Sequence, residues 1–344
     1  MKTAFRNLRL ALALCASGAL HAATYTWTGG TSNDWNTAAN WSGGVVPTSA
    51  DAVVISIAGG PVLTSLTATT AAFTIGSAAN TTGSLALINS SLYSASLNSG
   101  GNATGTAFIT LDNSTWYVPN NFFLPGTGYN NVELRGNSAI TNAGLVATTG
   151  NAGLAQNAGA VGVLTLNDNS VWQSANELAV GFRGSGTLYM NDNSKVVTRT
   201  VFRVAGNGSA GAPRGWVEMG GAASITVGTT TEIGSTGPGM LIMTGSSSFT
   251  GTGNITVGVA TGTGKGAVTL SDHALFRTNG TLMLGNSGDG RLTFLNGGAV
   301  RVNASAITLA NQGASGGAIE IAGDGTHSLT RSDGTTLVGI NGGA

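Results

Sequence analysis

Along this chain, apolar residues alternate with polar ones in short runs, and the runs return about every 24 residues. The recurrence is plainest in LDNSTWYV (111–118), NDNSVWQS (167–174) and NDNSKVVT (191–198), where a small residue stands two positions ahead of an apolar one. One apolar column reads Tyr93, Trp116, Ile140, Trp172, Val196, Ile225, Phe249, Phe276 and Val300. A second lies upstream in pairs such as Leu164 and Leu166, Leu188 and Met190, and Leu241 and Met243. A third lies downstream, in LAVG (178–181), FRVAG (202–206), TEIG (231–234), ITVG (255–258) and LMLG (282–285). Alternation with a period of two marks strands, and the Gly, Asn and Ser clusters between the runs mark turns.

Three short strands in each unit of 24–29 residues, with three apolar columns in register, predict an all-β fold. The architecture they describe is a single-stranded β-helix, a solenoid whose coils stack at about 4.8 Å. One coil cannot bury its own apolar face, whereas a stack shares a continuous interior. An antiparallel barrel or sandwich of the same strands is the competing architecture. From Trp116 onward every second step of the first column is 24 residues, and the others are 32, 29 and 27. The extra residues, near 147–160, 206–215, 259–266 and 311–317, are expected after the third strand of alternate coils. There they predict a ridge of loops along one edge, the kind of face that repeat proteins use for binding. Neutral drift in loop length, which costs little, is the plainer reading.

The first 22 residues do not share the repeat. Lys2, Arg6 and Arg9 precede the apolar run 10–20, and small residues follow at Ala22 and Ala23, which is the build of a secretory signal peptide cleaved after Ala22. The run is shorter than the roughly 20 residues of a membrane-spanning helix, and no later stretch is long enough either. The expected organisation is a signal peptide at 1–22, a Trp-rich N-terminal cap with first strands at 23–82, and a repeat solenoid at 83–344. The chain stops in TTLVGINGGA, which reads as the middle of a repeat and suggests truncation. An uncapped last coil would invite end-to-end self-association.

Within 25–55, Trp27, Trp35 and Trp41 sit in a Gly/Asn/Ser frame, and Pro47 and Asp51 lead into an apolar strand. The tryptophans are candidate glycan contacts, because indole faces stack on sugar rings. A cap over the open end of the solenoid is the alternative role. This W…W…NW…P…D…I segment resembles the start of bacterial autotransporter-like surface solenoids. The repeats, L-x-(L/M)-x-(D/G)-x-S-x-(W/V) followed by L-x-V-G, resemble the type V secretion (autotransporter)/PEP-CTERM-associated repeat family. The resemblance implies an exported, surface-associated protein and supplies no catalytic residues. The C-terminus departs from that pattern, with neither closing barrel strands nor a Pro-Glu-Pro anchor.

Charge narrows the chemistry. Only 8% of residues are charged, and loss of Lys2, Arg6 and Arg9 turns the balance of 14 basic and 14 acidic side chains to −3. No basic stripe for nucleic acid is present. The single cysteine, Cys15, falls in the signal, so disulfides and thiolate metal sites are not expected. Asp168 and Asp192 occupy matching places in neighbouring coils, where two carboxylates would share a proton or a cation, unless Asp-Asn-Ser is simply a turn. Asp272 and His273 occupy a similar place, without metal-ligand spacing. Catalytic, cofactor and metal residues are therefore expected to be none, and no cofactor is implied. Three functions fit: a surface or extracellular structural and adhesive solenoid meeting polysaccharide, matrix or cell-surface components; a secreted polysaccharide-degrading β-helix; and the passenger of a larger autotransporter. Regularly spaced weak contacts favour the first.

Overall fold

The alternating runs form strands where the pattern places them. Val161–Leu166, Val171–Ser174 and Leu178–Val180 make one coil, and Ser185–Met190, Lys195–Thr198 and Val201–Val204 make the next. Each strand pairs in parallel with the strand of the same rank one coil on, so Leu164 lies beside Leu188, Trp172 beside Val196 and Leu178 beside Phe202. The computed structural model describes residues 22–342 except 100–103, 125–127, 143–150, 207–212, 261–262, 303–306, 310–314, 323–324 and 332–335. Over that range the chain is a parallel β-solenoid, and the antiparallel barrel is excluded. The signal-peptide segment, residues 1–21 with Cys15, lies outside the described residues.

Three sheets enclose the interior. Among the described residues sheet I has eleven strands, from Val62–Thr64 to Gly317–Ala322. Sheet II has twelve, from Thr67–Thr70 to Gly325–Arg331 and Thr336–Gly342. Sheet III is a four-stranded section starting at Thr24–Thr26, continued by eight strands from Phe122–Leu124 to Ile307–Leu309. Thr336–Gly342 does not add another coil, as a mid-repeat reading expects; it turns back antiparallel along Gly325–Arg331. The inward columns fill the core, with Trp116, Trp172, Phe249, Phe276 and Val300 fully buried.

Two expectations need correction. Tyr93 is not in the inward column: it is 38% exposed and stacks on Tyr117, their rings 5.4 Å apart. Leu92 takes the place beside Trp116. The register there is fixed by a ladder of buried serines. The Ser90 hydroxyl accepts the Leu66 N–H at 3.1 Å, and the Ser90 N–H donates to the Ser114 hydroxyl at 2.9 Å. The extra residues also do not all fall after the third strand. In the first case most lie between the second strand, Ala139–Asn142, and the third, Ala152–Leu154. The other three do lie between sheets III and I, at 205–213, 258–264 and 310–316, although 207–212, 261–262 and 310–314 are outside the described residues.

The corner from sheet III to sheet I brings successive coils into close backbone contact. Gly234 turns there in the left-handed region, at φ +71°, and a Cβ on it would meet the Lys265 carbonyl oxygen of the next coil at 2.3 Å. Gly239, just after the corner, faces inward, and a Cβ there would lie 2.4 Å from the Gly234 nitrogen and 2.6 Å from the Val204 carbonyl oxygen. Backbone, not a flexible side chain, is the obstacle in each case. Gly239→Ala is therefore expected to lower stability by at least about 1–3 kcal/mol, the usual cost of overpacking. Gly220→Ala, whose Cβ would meet only Thr244 Oγ1 at 3.6 Å, is expected to stay within about 1 kcal/mol of the parent. Urea unfolding of the two variants checks this, and equal midpoints would contradict it.

Candidate functional site

The three candidate glycan-contact tryptophans are placed together, but inside the protein. Trp27 and Trp35 are 1% exposed and Trp41 is 2% exposed. Trp41 lies edge-on to both others, at 5.0 Å from Trp27 and 4.7 Å from Trp35. Trp35 stacks over Phe73, which in turn meets Trp116 of the core at 5.3 Å. The indole N–H groups are used internally: Trp41 donates to the Trp35 carbonyl at 2.8 Å, and Trp27 to that of Gly59 at 3.2 Å. With their faces covered by protein, these rings offer no surface to a sugar; they plug the first coil. Asp51 ties the segment down by accepting from Thr48 Oγ1, the Thr48 N–H and the Ala23 N–H. Burial works to raise its pKa, but these hydrogen bonds outweigh that and hold the carboxyl below its ordinary value.

Asp168 and Asp192 do stack, as turn residues. Both adopt left-handed backbone, at φ +57° and +56°. The Asp192 carboxylate accepts the Asp168 N–H at 3.1 Å, and the Asp168 carboxylate accepts the Gly136 N–H at 2.8 Å. Asp272 repeats the arrangement on the Gly245 N–H at 3.1 Å. Each carboxylate is thus committed to a neighbouring coil's backbone, and among the described residues no group of three or more His, Cys, Asp or Glu is placed to hold a metal ion. On sheet III, Arg203 bridges Glu232 at 2.8 Å and Glu177 at 2.5 Å. Burial would lower the pKa of its guanidinium, but the two glutamates outweigh this and raise it.

A surface feature able to accommodate a ligand lies elsewhere, on the outer side of sheet I. A groove of about 790 Å³ crosses six strands, from Ser185–Met190 to Gly317–Ala322. Five steps of about 4.8 Å give it a length of about 24 Å along the solenoid axis. Its floor is shallow because Thr187, Ala267 and Ala318 are small, and its lining is largely apolar. Trp216 stands in it, 38% exposed, with its indole N–H directed to Glu218 at 3.4 Å. Arg214, Lys265 and Arg291 line it as exposed cations, and Asp289 is the one acidic side chain in the lining. Arg291 is paired with Glu320 on the next strand. Among the described residues Arg214 and Lys265 make no ion pair. Sequence inspection missed this groove because its side chains come from strands far apart in the chain and have no local motif. The signal available was the register of the inward columns, which also fixes which outward residues become neighbours.

No family model, curated protein or solved structure matches the chain. Among the described residues no helix is long and apolar enough to cross a membrane.

The Asp turns generate a direct expectation. Calcium should leave the melting temperature unchanged. Asp192→Asn should be near-neutral, since Asn113 already serves in the same way by accepting the Asn137 N–H at 3.1 Å. Asp192→Val should cost about 1–3 kcal/mol, as a β-branched residue strains in the left-handed region. A calcium-dependent rise in melting, lost in Asp192→Asn, would contradict the turn assignment.

Proposed function

We propose that this protein is an exported bacterial scaffold, extracellular or on the cell surface, that adheres by binding polymeric carbohydrate along its solenoid. The observation that carries this reading is the groove on sheet I. It is long, shallow and largely apolar, with an exposed indole and polar charged groups at intervals. Sugar polymers present apolar ring faces and hydrogen-bonding edges in the same alternating way, and Trp is well suited to the ring faces. Contacts repeated at a fixed spacing add up to useful avidity even where each is weak.

Export is supported by the basic start, apolar run and small-residue exit of residues 1–22, and by the resemblance to autotransporter and PEP-CTERM-associated repeats. Adhesion is favoured over degradation because Asp289 is the single carboxylate in the groove lining, whereas glycoside hydrolysis uses a pair.

The test is retention of the purified protein on a panel of immobilised polysaccharides, with soluble products assayed alongside. Retention without release of reducing ends or unsaturated sugars is expected, the retained protein should begin at Ala23, and Trp216→Ala should reduce retention several-fold. Trp27→Phe should leave retention unchanged. Sugar release would replace adhesion with degradation, and no retention on any member would overturn the carbohydrate reading.

A further inference from the structure

The groove's charge points beyond carbohydrate in general to one class of it. Excluding residues 1–22, the chain has only eleven basic side chains and a formal charge of −3, yet three of the eleven line this one groove. Arg214 and Lys265 occupy the same outward column, on strands separated by a single intervening strand, Gly239–Met243. That puts them two coils apart, about 9.6 Å along the axis. A linear chain lying along the groove would therefore meet two positive charges two strands apart, with the indole of Trp216 on Arg214's own strand, two residues further along and in the adjacent outward column. Asp289, in register with Lys265, moderates the local charge, and its carboxylate is engaged with the Gly316 N–H at 3.2 Å.

We propose that the groove binds a linear acidic polysaccharide, a chain bearing uronate carboxylates, laid parallel to the solenoid axis. Arg214 and Lys265 take carboxylates on successive repeats of the chain, and Trp216 stacks on the sugar ring at Arg214's level. This deepens the carbohydrate reading above and rests on it. An acidic polypeptide fits less well. The groove runs over the face of a sheet, across strands that are paired on both sides except for Gly317–Ala322 at its end, so along most of its length it offers no free backbone edge for an extended peptide to join. A uronate chain needs no such edge; it needs cations at intervals and an apolar ring platform, and both are present.

The experiment is isothermal titration of protein purified from cells expressing the full chain with three probes: polygalacturonate, a neutral β-1,4-glucan and poly-glutamate. Each is run at two salt concentrations. The expected result is binding of polygalacturonate that weakens as salt rises, with at least tenfold lower affinity in the R214Q/K265Q double variant and in W216A. Because all three side chains are exposed, melting temperatures of these variants should match the parent. Binding of the neutral glucan with equal affinity and no salt dependence would overturn the acidic assignment while leaving the carbohydrate reading intact. Preference for poly-glutamate would overturn both in favour of an acidic polypeptide. Polygalacturonate binding that is indifferent to R214Q/K265Q would overturn the site, and silence from all three probes would overturn the inference together with the reading it rests on.

Discussion

The spacing between hydrogen-bonded parallel strands, about 4.8 Å, leaves no slack between one coil and the next. At the corner from sheet III to sheet I this becomes a contact between backbones. Gly234 turns in a left-handed conformation against the Lys265 carbonyl of the following coil, and Gly239 lies against the Gly234 nitrogen. A Cβ at either position would run into backbone, that of the next coil at Gly234 and of the preceding coil at Gly239, and strain the stacking there. The glycine content of the chain is thus a condition of stacking rather than a sign of flexibility. The other ladders depend on the same spacing: Ser90 bonds to Ser114, Asn191 Nδ2 donates to Asn167 Oδ1 at 2.8 Å, and the Asp168 and Asp192 turns reach one coil in each case.

Strict stacking divides the work of the side chains. Inward positions are filled mainly by apolar groups, with stacked buried serines at the turns, so outward positions are free to vary with little cost to the core. Sheet I uses that freedom to align small residues, one indole and a few cations into a groove. None of its strands carries enough on its own to recognise a ligand. A rigid sheet face holds these groups at fixed intervals, which reduces the entropy lost when a long, stiff polymer is bound. The tryptophans at 27, 35 and 41 belong to the other half of this division: their rings close the first coil and continue the aromatic chain into Phe73 and Trp116.

The solenoid was readable in the sequence because inward residues repeat: Leu164, Leu188, Leu241 and Leu292 stand in one column and are all buried. Tyr93 was misplaced because SLYS offers two adjacent apolar residues, and only the inward serine at 90, two positions before Leu92, decides between them. The sequence leaves the tryptophans open between cap and contact because an aromatic cluster between turn residues looks the same whether it closes a core or faces solvent. The groove was not legible at all, since outward residues obey no period. Arg214, Lys265 and Arg291 become neighbours only after the unequal steps between coils have been aligned strand by strand.

The in-register stack is the claim on which groove and ligand both depend, and spin-label distances test it directly. With Cys15 replaced by serine, cysteines would be placed at Thr110 and, in separate variants, at Glu218, Thr269 or Thr293, all in one outward column of sheet I. These lie four, six and seven coils from Thr110. The account predicts separations that grow steadily, near about 19, 29 and 34 Å. Separations that fail to increase with coil number would contradict the stack, and with it the groove.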